Sequence, residues 1–137
     1  MNDDFTRIRK NWADTASAHD IVGTIFYTHL FKIAPDTRPL FPESLDAQGR
    51  KLVQTLSWIL DHLDEPDDLV PAAENLARRH VVYGVTADQY EAVGAALIAT
   101  LHEGLGDKFS KEDEAAWTRV YAHLSGLMIG AAYPEAV

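Results

Sequence analysis

Apolar residues recur every three or four positions along most of this chain. That is the spacing of one helix face, and no segment alternates strictly with the period of two that a strand requires. Phe5, Ile8, Trp12 and Ala16 form the first stripe, with Asp3 and Asp4 where a first turn favours negative charge. A second helix is predicted from about His19 to Ala34, ended by Pro35, with Gly23, Tyr27, Leu30, Phe31 and Ala34 facing inward. "DTRPLFPES" follows, and its prolines forbid a long helix there. A third helix is predicted from about Ser44 to Leu63, with Gln48, Leu52, Thr55, Leu56, Ile59, Leu60 and Leu63 on one side. "DEPDD" reads as a breaker and Pro71 as an early residue of the next helix, which carries Leu76 and His80 and stops at Gly84. Thr86 to Gln89 fits a capping box opening a helix with Tyr90, Val93, Leu97 and Leu101. Ser110 to Asp113 resembles another cap, before a last helix carrying Trp117, Val120, Tyr121, Leu124, Leu127 and Met128. The pattern predicts an all-α single domain over residues 1–137, with about six to eight helices and short loops.

Composition narrows the function classes. The 137 residues include no cysteine, which excludes a disulfide scaffold, a zinc ribbon and thiol catalysis. The start Met-Asn-Asp-Asp has neither the basic residue nor the apolar block of a secretion signal, and no apolar run spans a membrane, so a cytoplasmic chain is expected. With 12 basic and 21 acidic residues the net charge is −9. An acidic chain without a basic stripe is a poor partner for nucleic acid or an anionic membrane.

The sequence contains no Gly-rich phosphate loop, no Gly-x-Ser-x-Gly elbow and no His-Glu-x-x-His. No Glu stands three residues before any of the 6 histidines, which removes the usual di-iron signature of helix bundles. His19, His29, His62, His102 and His123 fall near helix ends or on polar flanks and read as structural or exposed. In "ENLARRHVVYGV", His80 shares a helix face with Leu76 and has Val81 beside it, so few local polar partners. Alone it reads as structural; a buried neutral imidazole also suits a metal. Gln48 lies on the apolar stripe of the third helix, Tyr27 on that of the second, and Phe41 sits between two prolines. Each has an ordinary core or boundary reading. Together, a histidine on one helix, two uncharged hydrogen-bonding groups on others and a loop Phe suit a flat apolar ligand with one axial nitrogen, the chemistry of haem iron.

At these residues the chain resembles a globin, specifically the single-domain bacterial haemoglobins related to the haem domain of flavohaemoglobins. "FYTHLFKIAPDTRPLF" is similar to the family's second helix and its turn into the haem-contacting Phe. "QGRKLVQTL" is similar to the distal helix, and "LARRHVVYGVTADQYEAVG" to the proximal region. The resemblance implies haem b, with His80 as proximal iron ligand and Gln48, Tyr27 and Leu52 on the distal side. Phe41 would wedge against the macrocycle, Leu76 and Val85 would line the proximal side, and Tyr90, Val93 and Leu97 would border the cofactor. Lys51 and Arg79 are the expected propionate partners. The second imidazole N–H requires an acceptor, expected one turn back near Leu76. Tyr27 and Gln48 can donate to O₂ without titrating near neutrality. Two such bonds of roughly 1 kcal/mol each would slow O₂ loss by about tenfold to a hundredfold, with less gain for CO. Gly23 and Gly49 are expected to let the second and third helices cross closely.

Two departures from the flavohaemoglobin pattern bear on the reaction. The family's proximal relay pairs the histidine with a Tyr and a Glu. Tyr90 matches the Tyr, but the position matching the Glu is Ala132, and Glu135 lies beyond Pro134. The relay is therefore incomplete, which weakens the case for peroxidase activity. No flavin or nicotinamide domain is expected after the globin, so redox cycling is expected to require a separate reductase. The resemblance implies reversible binding of O₂, CO and NO, with conversion of NO to nitrate as a further task, in a monomer or weak homodimer. The alternatives are a haem-based gas sensor acting through a partner, and a globin fold that has lost haem and serves as an interaction domain.

Overall fold

A computed structural model describes residues 2–15, 18–41, 44–82, 86 and 88–132. Among them are six α-helices, two short 3₁₀ helices and no strand. The α-helices are α1 (Asn2–Asp14), α2 (His19–Ile33), α3 (Asp46–Asp61), α4 (Pro66–Val82), α5 (Gln89–Leu105) and α6 (Lys111–Ala132). The 3₁₀ helices are Pro35–Leu40 and Gly106–Lys108. Pro35 opens the first of these and Pro39 lies within it, so "DTRPL" makes a tight connector. The expected positions Ala16, Gly84, Val85, Pro134 and Glu135 lie outside the described residues.

The largest difference from the sequence reading is the start of α4. "DEPDD" separates α3 from α4 as expected, but α4 already begins at its Pro66, so Pro71 lies inside the helix rather than at its start. Pro66 takes the first helical position, where its missing N–H costs nothing, and Asp67 and Asp68 follow in the first turn. Pro71 is on the exposed side of the helix.

The core is built around Ile8, Leu30 and Leu101, the largest fully buried side chains. The second helix packs on α5, α3 and the first 3₁₀ helix, while α6 packs on α4, α1 and α5. Two glycines set the α2–α3 crossing. A Cβ on Gly23 would lie 2.5 Å from the Gly49 Cα, and a Cβ on Gly49 would lie 3.3 Å from the Gly23 Cα. Hydrogen at both positions brings the two backbones into contact.

A polar latch joins α1 to α6. Ser110 and Asp113 form a reciprocal cap: the Asp113 N–H donates to Ser110 Oγ at 3.0 Å and the Ser110 N–H donates to Asp113 Oδ2 at 3.1 Å. The same carboxylate accepts from Asn11 and Arg7 of α1. Asn11 Oδ1 in turn accepts from Trp117 Nε1 at 3.0 Å. Arg119 grips Asp4 with two hydrogen bonds. The Thr86–Gln89 box is half formed, with the Thr86 N–H donating to Gln89 Oε1 at 2.9 Å.

Candidate functional site

The site has two arms carried by different supports. The third helix rests on α2 and α1; the fourth rests on α6. Between α3 and α4 lies a cavity of about 280 Å³, walled by Thr55, Trp58 and Ile59 on one side and Ala73, Leu76 and Arg79 on the other.

On the α4 arm, His80 is half-buried and its Nδ1–H donates to the Leu76 carbonyl at 2.8 Å. The acceptor lies one helical turn back, where the sequence reading placed it. Burial pushes the imidazole pKa below its ordinary value; the Leu76 carbonyl opposes this and the Arg79 charge adds to it. With the proton on Nδ1, Nε2 is the electron-pair donor. The Tyr90 ring lies 6.1 Å from the His80 ring, centroid to centroid. Tyr90 is itself held from α6, because the Tyr121 hydroxyl donates to its carbonyl. Tyr121 reaches that place across Gly94, where a Cβ would lie 2.7 Å from the ring. Burial, then the neighbouring Tyr90, raises the Tyr121 pKa.

The other arm gathers Tyr27, Gln48 and Phe41. Tyr27 is 4% exposed. Burial raises its pKa, and a hydrogen bond with the Gln48 side chain opposes that rise. The Phe41 ring stands 5.1 Å from Tyr27 at 61°, and Phe31 lies 5.9 Å from Tyr27 and 5.7 Å from Phe41. An aromatic cluster of this kind fixes ring positions through edge and offset contacts.

The structure thus brings His80 together with Leu76 and Tyr90, and separately Tyr27 together with Gln48 and Phe41. Leu52 and Val93 are half-buried against the core. Leu97 is buried and also lines a second cavity, of about 300 Å³, together with Trp12, Val22 and Leu101. Arg79 is exposed at the mouth of the α3–α4 cavity, and Lys51 is exposed one turn beyond Gln48. Four of the remaining histidines have other partners: His19 bonds Thr15, His29 bonds Glu103, His62 bonds the Trp58 carbonyl and His102 bonds Glu114. His123 is exposed. No cluster of three or more His, Cys, Asp or Glu that could hold an ion occurs among the described residues.

Comparison with known families decides the assignment: a globin model matches residues 24–128. The chain belongs to the globin family. Flavohemoproteins are among its relatives. That of Bordetella parapertussis is 34% identical over 108 residues, covering 77% of this chain and 27% of the relative. That of Vibrio cholerae is 30% identical over 116 residues, covering 80% of this chain and 29% of the relative. This globin therefore spans somewhat over a quarter of the curated relatives it matches.

The donor set fits haem. A neutral imidazole with its second nitrogen already tied to a carbonyl is a good single ligand for iron. On other elements, the uncharged pair Tyr27 and Gln48 lies beside the rings of Phe31 and Phe41. The chain is a haem-binding globin with an all-α globin fold.

Sequence reasoning missed two residues of the site. Tyr121 was assigned only to the core stripe of the last helix, and nothing local signals a hydroxyl reaching the Tyr90 carbonyl, 31 positions away. Arg38 lies inside "DTRPLFPES", the stretch that leads from α2 into Phe41. Its guanidinium folds back over Phe31, 5.2 Å from the ring centroid.

Proposed function

We propose that this chain is a haem-b globin that binds O₂, CO and NO reversibly. The observation that carries the proposal is the Leu76-anchored imidazole of His80, with Tyr27 and Gln48 as a hydrogen-bonded pair of uncharged groups elsewhere in the same domain. Haem iron, when bound, supplies a coordination position for a diatomic gas. His80 would hold the iron through Nε2, and the Leu76 carbonyl keeps the ring in the tautomer that allows it. Leu76 lines the proximal side, Phe41 and Leu52 the distal side, and Lys51 and Arg79 face the propionates. Tyr27 and Gln48 offer hydrogen bonds to a ligand carrying partial negative charge, which favours O₂ over the less polar CO.

The same donors support conversion of NO to nitrate. That reaction, NO + O₂ + e⁻ → NO₃⁻, consumes one electron each time. A separate reductase is the proposed source. In place of a Glu at the relay position the chain has Ala132, so strong proximal activation toward peroxides is not proposed.

The test is the absorption spectrum of the reconstituted protein in its ferric, ferrous and CO forms. Intense haem bands that respond to CO are expected, and His80→Ala loses that pattern. Wild-type protein without haem absorption, or a His80→Ala variant with unchanged haem and gas binding, overturns the proposal.

A further inference from the structure

We propose that Arg38 is the positioning residue of the distal aromatic cluster, clamping Phe41 by both of its backbone polar groups. The inference rests on the reading of Tyr27 as a distal hydrogen-bond donor. The Arg38 carbonyl accepts the Phe41 N–H at 3.2 Å. Its Nη1 donates to the Phe41 carbonyl at 3.3 Å. One residue thus holds the peptide groups on either side of the Phe41 Cα. The first bond closes the last 3₁₀ turn and would form with any residue at 38; the second is particular to the arginine side chain, and it matters because Phe41 is extended (φ −120°, ψ 154°) where the connector ends. The residue after it is Pro42, which favours that extended conformation.

The guanidinium also covers the Phe31 ring at 5.2 Å, a distance at which the ring face attracts a cation. Arg38 therefore covers the ring of Phe31 and holds the backbone that carries the ring of Phe41. The third ring of the cluster, Tyr27, is in direct contact with both. A shift of Phe41 passes to Tyr27 through the 5.1 Å edge contact, and so to its hydroxyl and to Gln48. No other basic side chain is recorded over a ring of this cluster among the described residues.

The experiment compares Arg38→Met, Arg38→Lys and Tyr27→Phe. Methionine fills much of the same volume but has no charge and no donor. Lysine retains the charge and a donor without the planar fork. In Arg38→Met, O₂ release should speed up about three- to tenfold, the change expected when one hydrogen bond is misplaced. The CO form should show more, or broader, C–O stretching bands than the wild type does. Amide exchange at Phe41 should also speed up in the haem-free protein. Arg38→Lys should recover most of each property.

Wild-type behaviour of Arg38→Met in the C–O bands and in Phe41 exchange overturns the inference. Equal impairment of the Met and Lys variants also overturns it, since that is what loss of bulk packing produces. If Tyr27→Phe leaves O₂ release unchanged, the distal reading of Tyr27 fails, and Phe41 exchange alone then decides the clamp.

Discussion

His80 gives its Nδ1 proton to the Leu76 carbonyl, and burial keeps the ring neutral. A leucine-bearing helix face thereby also carries a ligand-grade nitrogen. On the proposed function Tyr27 and Gln48 are the distal donors, and their effect should then distinguish gases. Tyr27→Phe and Gln48→Ala should each speed O₂ release about fivefold, as expected for a bond of roughly 1 kcal/mol. CO release should change less in both. Flash photolysis and stopped-flow displacement measure the two rates, and equal effects on both gases would show that the polar-pocket argument is wrong. At this scale the sequence was informative about residue type. An imidazole, a phenol and an amide on apolar stripes stood out because their burial requires partners. Arg38 did not stand out, because an arginine in a proline-rich connector reads as an ordinary solvated charge.

Helix packing makes its own predictions. Adding a Cβ at Gly23 drives it into the Gly49 backbone, whereas a Cβ at Gly49 meets Gly23 at a tight but less severe distance. Backbone cannot rotate aside as a side chain can. Gly23→Ala should therefore destabilise by about 2–3 kcal/mol, and Gly49→Ala by less. Denaturant titration measures both, and the reverse order would refute the crossing argument. The latch between α1 and α6 should be pH-sensitive. Burial alone would raise the Asp113 pKa, but its hydrogen bonds from Ser110, Asn11 and Arg7 outweigh that and hold it below the ordinary 3.8. The folded value is the lower one, so the carboxylate's contribution is present above 3.8 and is lost as pH falls through the folded value. Asp113→Asn should cost about 1–2 kcal/mol at neutral pH and flatten the loss of stability below pH 4. Urea titrations at several pH values check this, and the same acid dependence in both proteins would count against it. Most helices were legible from their three-to-four stripes. The start of α4 was not, because a proline among acids marks a helix beginning as well as a break. Only the packing of Leu69 and Ala73 into the interior shows that the helix is already under way before Pro71.

In the molecule as a whole, the two arms of the site stand on different foundations, α2 with α5 and α6 with α4. Ligand that binds only the folded state stabilises what it bridges. In the haem-free protein the amides of α4 should exchange faster than those of α2 and α5, and haem should slow α4 most. Hydrogen exchange with mass detection measures this, and uniform protection across the helices would contradict it. Among the described residues no helix is long and apolar enough to cross a membrane.

The sequence by itself determined the all-α class, the succession of helices, the globin resemblance and the residue types available for iron and gas. It could do so because helix periodicity, caps and prolines are local, and because the spacing of "FYTHLF", "RPLF", "QGRKL" and "LARRH" is written along the chain. Only the tertiary structure decided which side chains meet. Tyr27 and Gln48 come from crossing helices, Tyr121 holds Tyr90 from the last helix across Gly94, and Arg38 folds back over Phe31 while clamping Phe41. These contacts depend on crossing angles and ring orientations, which arise from packing and leave no periodic signal.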